Sequence, residues 1–97
     1  MNEKASSVLQ RLATSFDHAS VVYEFTNDLH RFRIEWGPTH RLYISRAYVD
    51  VRTEQDLLHM LERRRIVETL RTSQRPRCLL LGERGILEVN PSYGRPR

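Results

Sequence analysis

The chain is short of several things that would name a function. It holds one cysteine, Cys78, one lysine, Lys4, and only four glycines in 97 residues. A lone cysteine excludes an internal disulfide and fits a reducing compartment. The longest apolar run is residues 78–81, far below the ~18 residues that a membrane-spanning helix needs. Residues 1–12 contain no signal-peptide apolar region, so a cytoplasmic location is expected. The glycines form no phosphate-cradling loop, Gly82 and Gly85 being placed as a hairpin turn. The four histidines, His18, His30, His40 and His59, lack metal-ligand spacing. Cys78 opens the most apolar run and reads as a buried, inert thiol. The sequence therefore motivates no cofactor, no metal and no enzymatic activity.

What is abundant is arginine: of 16 basic residues, all but Lys4 are arginine, and the net charge is +4 with a pI near 9.8. The guanidinium fork grips carboxylates and phosphates bidentately, whereas an ammonium is a point charge. Hydrophobic content of 39% beside 29% charge is ordinary for a folded domain and argues against wholesale disorder. The length suits one modest core. A single α+β domain over residues 1–90 is expected, with residues 91–97 a flexible tail of little packing capacity.

Hydrophobic periodicity predicts a helix over residues 3–16, with Ala5, Val8, Leu9, Leu12 and Phe16 on one stripe and Asn2 as cap. A three-stranded antiparallel meander follows. Val21, Tyr23 and Phe25 share one face of the first strand, residues 21–26; Phe32, Ile34 and Trp36 share one face of the second, residues 29–36. A two-residue turn at Asn27-Asp28 sets Phe25 opposite His30 and Glu24 opposite Arg31. A three-residue turn at Gly37-Pro38-Thr39 sets Ile34 opposite Leu42 and Glu35 opposite Arg41. Both registers bring the apolar faces together. The third strand is expected over residues 40–51, with a bulge near Ser45-Arg46 where the alternation changes phase.

A second helix is expected over residues 54–71, capped by Thr53. Its stripe turns at Arg63-Arg64-Arg65: Leu57, Leu58 and Leu61 point one way, Ile66, Val67 and Leu70 another. Either the helix breaks there or its second half packs on another subunit. Residues 78–81 and 86–89 complete a C-terminal hairpin. The fold class is α+β: a curved antiparallel sheet, meander plus hairpin, with two helices in the order α-β-β-β-α-β-β. The expected core is Leu9, Leu12, Phe16, Tyr23, Phe25, Phe32, Ile34, Leu42, Ile44, Leu58, Leu61, Leu79 and Leu81, with Trp36 at its rim.

Two functional readings emerge. The first is a small non-enzymatic protein-interaction module, a homodimer joined through Ile66, Val67 and Leu70 and through strand edges able to pair with another chain. The alternative is a basic nucleic-acid-binding module using Arg63, Arg64, Arg65, Arg75 and Arg77, with Arg33 beside Tyr43 as a further contact. The pairs Glu24–Arg31 and Glu35–Arg41 would neutralise much of the sheet's polar face. Gly37-Pro38-Thr39-His40 resembles a turn of the double-stranded RNA-binding domain. There, however, the turn joins the first two strands and the second helix opens with lysines, where this chain has Glu54-Gln55-Asp56. A duplex-RNA role is not supported.

Overall fold

The computed structural model describes residues 2–17 and 20–95. Helix α1, Glu3–Ser15, begins where the Asn2 side chain accepts hydrogen bonds from the Lys4 and Ala5 backbone N–H groups. Strands β1 (Val21–Thr26), β2 (Leu29–Glu35) and β3 (Thr39–Ser45) form the meander. Asn27 and Asp28 both adopt positive φ, the mirror-image turn that two-residue hairpins favour. Strands β4 (Cys78–Gly82) and β5 (Gly85–Glu88) form the C-terminal hairpin. All five strands make one sheet in the order β1-β2-β3-β4-β5, and β4 lies parallel to β3. The sheet is therefore mixed rather than purely antiparallel, because helices return the chain between β3 and β4.

One expectation is corrected, one open alternative is decided, and one segment makes contacts the sequence did not show. First, β3 ends at Ser45 and Arg46–Asp50 is a short helix, α2, with the Ser45 hydroxyl accepting from the Tyr48 N–H. The phase change in the apolar pattern marks this helix, not a bulge; Tyr48 and Val49 are adjacent and both buried. Second, the long helix breaks into α3 (Glu54–Arg63) and α4 (Ile66–Thr72), with Arg65 left-handed at φ 53°. That single reversal re-aims α4, so Leu57, Leu61, Ile66 and Leu70 all enter one core. Third, of the residues expected as a tail, 96 and 97 lie outside the described residues, while within 91–95 the Pro91 carbonyl accepts from the Tyr43 hydroxyl and the Gly94 carbonyl from Asn27 Nδ2.

The main core joins α1, α2, α3 and α4 to the sheet face carrying Phe32, Ile34, Leu42, Ile44, Leu79 and Leu81. Each fully buried aliphatic or aromatic side chain contributes roughly 1.5–3 kcal/mol. Trp36 sits half-buried at the rim, edge-on to Phe16. Phe25 is 44% exposed on the outermost strand, and Leu58 is only half-buried while Leu57 takes the inward position. The opposite sheet face carries a smaller cluster of Leu29, Tyr43, Cys78 and Leu80. Among the described residues no helix is long and apolar enough to cross a membrane.

Candidate functional site

The register between β2 and β3 differs from the expected one by two residues, and this shift remakes the polar face. The reversal uses residues 36–38, so Glu35 pairs with Thr39, Phe32 with Leu42 and Ile34 with His40. A two-residue slip preserves the facing of every side chain, which is why the apolar pattern could not detect it. Its electrostatic effect is large. Arg41, expected opposite Glu35, lies opposite Arg33 instead. Like charges directly across a sheet are destabilising unless an anion joins them.

Arg31 is the most unusual residue of this face. The register with β1 puts it opposite Glu24 as expected, yet no ion pair forms. Arg31 Nε donates to Thr26 Oγ1 at 2.8 Å, and the guanidinium stacks 4.5 Å above the Tyr43 ring. The residue is 3% exposed, and neither Nη1 nor Nη2 has a hydrogen-bond partner among the described residues. A buried guanidinium with two unmet nitrogens is costly, since each unsatisfied buried donor costs about 1–3 kcal/mol. Residues 91–95 lie over it; a Cβ on Gly94 would stand 2.9 Å from Arg31 Nη2. Glu24 is engaged by Arg95 instead.

These residues line a groove of about 350 Å³ on the outer sheet face, with Arg31, Arg33, Arg41 and Tyr43 below and Pro91, Ser92 and Arg95 above. Arg33 contacts Glu35 at 3.3 Å, so the groove gathers four guanidinium groups near two carboxylates. Among the described residues no carboxylate pairs with Arg31 or Arg41. Burial raises the Tyr43 phenol above its ordinary range, and burial likewise raises the Cys78 thiol, which stays protonated and unreactive.

The other sequence candidates are dispersed. Arg63, Arg64 and Arg65 are all exposed around the α3–α4 break, and Arg65 lies 4.0 Å from Glu68. Arg77 is held by both carboxylate oxygens of Glu88, at 2.8 and 3.0 Å, while Arg75 is exposed on the preceding loop. None of these five lines the sheet-face groove. Ile66 and Leu70, at 1% and 0% exposure, are buried in their own chain, and Val67 packs half-buried against the same core. The first two have no surface to offer a partner. The sequence reading set Arg33 beside Tyr43, but the register puts Arg31 opposite Tyr43 and Arg33 opposite Arg41; it also assigned Arg31 and Arg41 to ion pairs and overlooked Arg95. The missed signal was the like-charge pair that the alternative turn placement creates.

A larger cleft, about 570 Å³, lies between α1, α4 and Trp36. Its rim arginines Arg11 and Arg65 face Glu62 and Glu68, and Arg71 covers the Trp36 ring at 5.7 Å. His30 and His40 are buried on the core side of the sheet: His30 Nδ1 is hydrogen-bonded with Tyr23 Oη at 2.8 Å, and His40 Nδ1 accepts from the Arg77 N–H at 3.1 Å. Burial lowers the pKa of both below the ordinary histidine range; Asp50 opposes that shift at His30, and Arg77 adds to it at His40. Among the described residues no three potential metal ligands converge. No protein-family model, curated protein or solved structure matches this chain.

Proposed function

We propose that this chain is a non-enzymatic binding module that holds an anionic group of its partner in the arginine-lined groove on the outer face of the sheet. The observation that carries this reading is Arg31, buried beneath residues 91–95 with both terminal nitrogens unmet. A fold retains such a group at a cost, and an anion supplies the missing acceptors. Arg41 opposite Arg33 adds a second site of uncompensated charge on the same face. The single buried thiol suits a reducing, cytoplasmic setting. Titration calorimetry with tripolyphosphate at low and high salt tests the proposal. The expected outcome is binding that weakens as salt rises and is lost in Arg31→Met. Negligible binding at low salt, or binding indifferent to Arg31→Met, would sink it.

A second reading, self-association into a homodimer, keeps its strand-edge basis at β1 and loses that of buried Ile66 and Leu70 in α4. This end strand pairs with β2 on one side, has no strand on its other edge among the described residues, and exposes Val22 and Phe25. Pairing of two such edges would continue the sheet across two copies. Light scattering at micromolar concentration decides it: twice the 11.5 kDa chain mass supports the dimer, and a strict monomer removes it.

A further inference from the structure

Charge balance at the groove selects among anions. Arg33 is drawn to Glu35 and Arg95 to Glu24, which leaves Arg31 and Arg41 as the two guanidinium groups without a carboxylate among the described residues. Arg31 is opposite Tyr43 and Arg41 is opposite Arg33, so the two are diagonal neighbours on paired strands. Such positions lie roughly 7–8 Å apart, within reach of long side chains converging on one group. A phosphate monoester carries about −1.5 to −2 charge at neutral pH and three acceptor oxygens. It therefore matches two arginines, whereas a carboxylate or a phosphodiester brings a single charge and leaves one guanidinium unmet.

Base stacking is not available to supplement a weaker anion. Binding of single strands relies on exposed aromatic faces. Tyr43 is 2% exposed, covered by Arg31 and tied through its hydroxyl to Pro91. The groove's volume of about 350 Å³ lies at the small-molecule end of binding sites. Residues 91–95 are all exposed and are held by polar contacts to Tyr43, Asn27 and Glu24. The groove opens beside this segment, and Arg31 is part of its lining.

We infer that the groove is a site for a small phosphate monoester, bound as the dianion between Arg31 and Arg41. This rests on the anion-binding reading above and narrows it. The other charged or titratable groups facing the site are Glu24 on β1, Arg33 and Glu35 on β2, Tyr43 on β3, Cys78 on β4 and Arg95 above it. His30 and His40, imidazoles of the type that titrate near neutrality, occupy the opposite face of the sheet. The pH dependence of binding should therefore follow the ligand.

Calorimetry on the full chain at low salt would compare glucose 6-phosphate, acetate, dimethyl phosphate and an unphosphorylated ten-residue oligothymidylate. The monoester is expected to bind at least about tenfold tighter than the other three, and to lose about tenfold in affinity from pH 7.5 to 5.0 as its second charge, with pKa near 6, is lost. Sulfate, dianionic across that range, is the control and should show no such fall. Arg31→Met and, as a second variant at a half-buried position, Arg41→Gln should each weaken the monoester at least about tenfold, since each removes a charge-assisted contact. Equal or tighter binding of acetate, the diester or the oligonucleotide overturns the monoester assignment while leaving the anion site standing. So does monoester affinity that is flat with pH. If none of these anions binds, both readings fall.

Discussion

Arg31→Met isolates the energetic claim on which the site depends. The substitution removes the hydrogen bond from Nε to Thr26 Oγ1, worth about 1.5–3 kcal/mol for a charged donor. It also removes the stacking on Tyr43, worth about 0.5–2 kcal/mol. Against these losses stand two buried nitrogens without partners, at about 1–3 kcal/mol each, and the further cost of holding a charge out of water. Methionine keeps an unbranched apolar stem over Tyr43 and carries neither penalty. The balance favours the variant: the ligand-free protein should be between unchanged and about 3 kcal/mol more stable. Each kcal/mol corresponds to about 4–8 °C in Tm for a domain of this size. Urea unfolding followed by circular dichroism, with the m value checked for constancy, measures the difference. A loss of more than about 1 kcal/mol at constant m would show that Arg31 is an ordinary structural residue, its nitrogens satisfied in solution, and would refute the reasoning.

Three further outcomes follow from the same geometry. Leu70→Ala, at a fully buried position, should cost about 2–5 kcal/mol through the cavity it leaves, with the oligomeric state unchanged in sedimentation; a changed association state with little loss of stability would return α4 to the role of an interface. Gly94→Ala should lift residues 91–95, because φ is +74° and the new Cβ would meet Arg31 Nη2 and Leu29 Cδ1 at 2.9 Å; cleavage by chymotrypsin after the neighbouring Tyr93 should accelerate, and an unchanged rate would contradict the seating described. Stability should fall as pH drops below about 6.5, the ordinary histidine value, because the unfolded chain binds protons that buried His30 and His40 resist. Each histidine contributes at most about 1.4 kcal/mol per pH unit, the loss ceasing below its folded-state pKa, and a His40→Gln variant that keeps the full slope would remove His40 from this account.

Much of this architecture is local in origin and could be read from the chain. The Asn2 and Thr53 caps, the left-handed Asn27-Asp28 turn and the alternation of Tyr23, Phe32, Ile34 and Leu42 each act over a few residues. Helix α2 was less legible, because its five residues are too few for a period to declare itself, and only Ser45 marks its start. The break at Arg65 depends on a left-handed non-glycine residue, which the burial of Ile66 and Leu70 repays elsewhere in the fold.

The candidate site divides along the same line. Composition alone determined that the chain is rich in guanidinium groups and poor in cysteine, glycine and lysine, and periodicity determined which residues share a sheet face. Which arginines remain without a carboxylate was decided by tertiary structure. Sliding the β2–β3 turn by one position at each end preserves every apolar contact face yet exchanges Glu35 for Arg33 as the neighbour of Arg41. The return of residues 91–95 over the sheet then takes Glu24 for Arg95 and buries Arg31 without partners for its terminal nitrogens among the described residues. Side-chain parity is a property of the strand, whereas a cross-strand neighbour is a property of the register, and hydrophobicity encodes only the first.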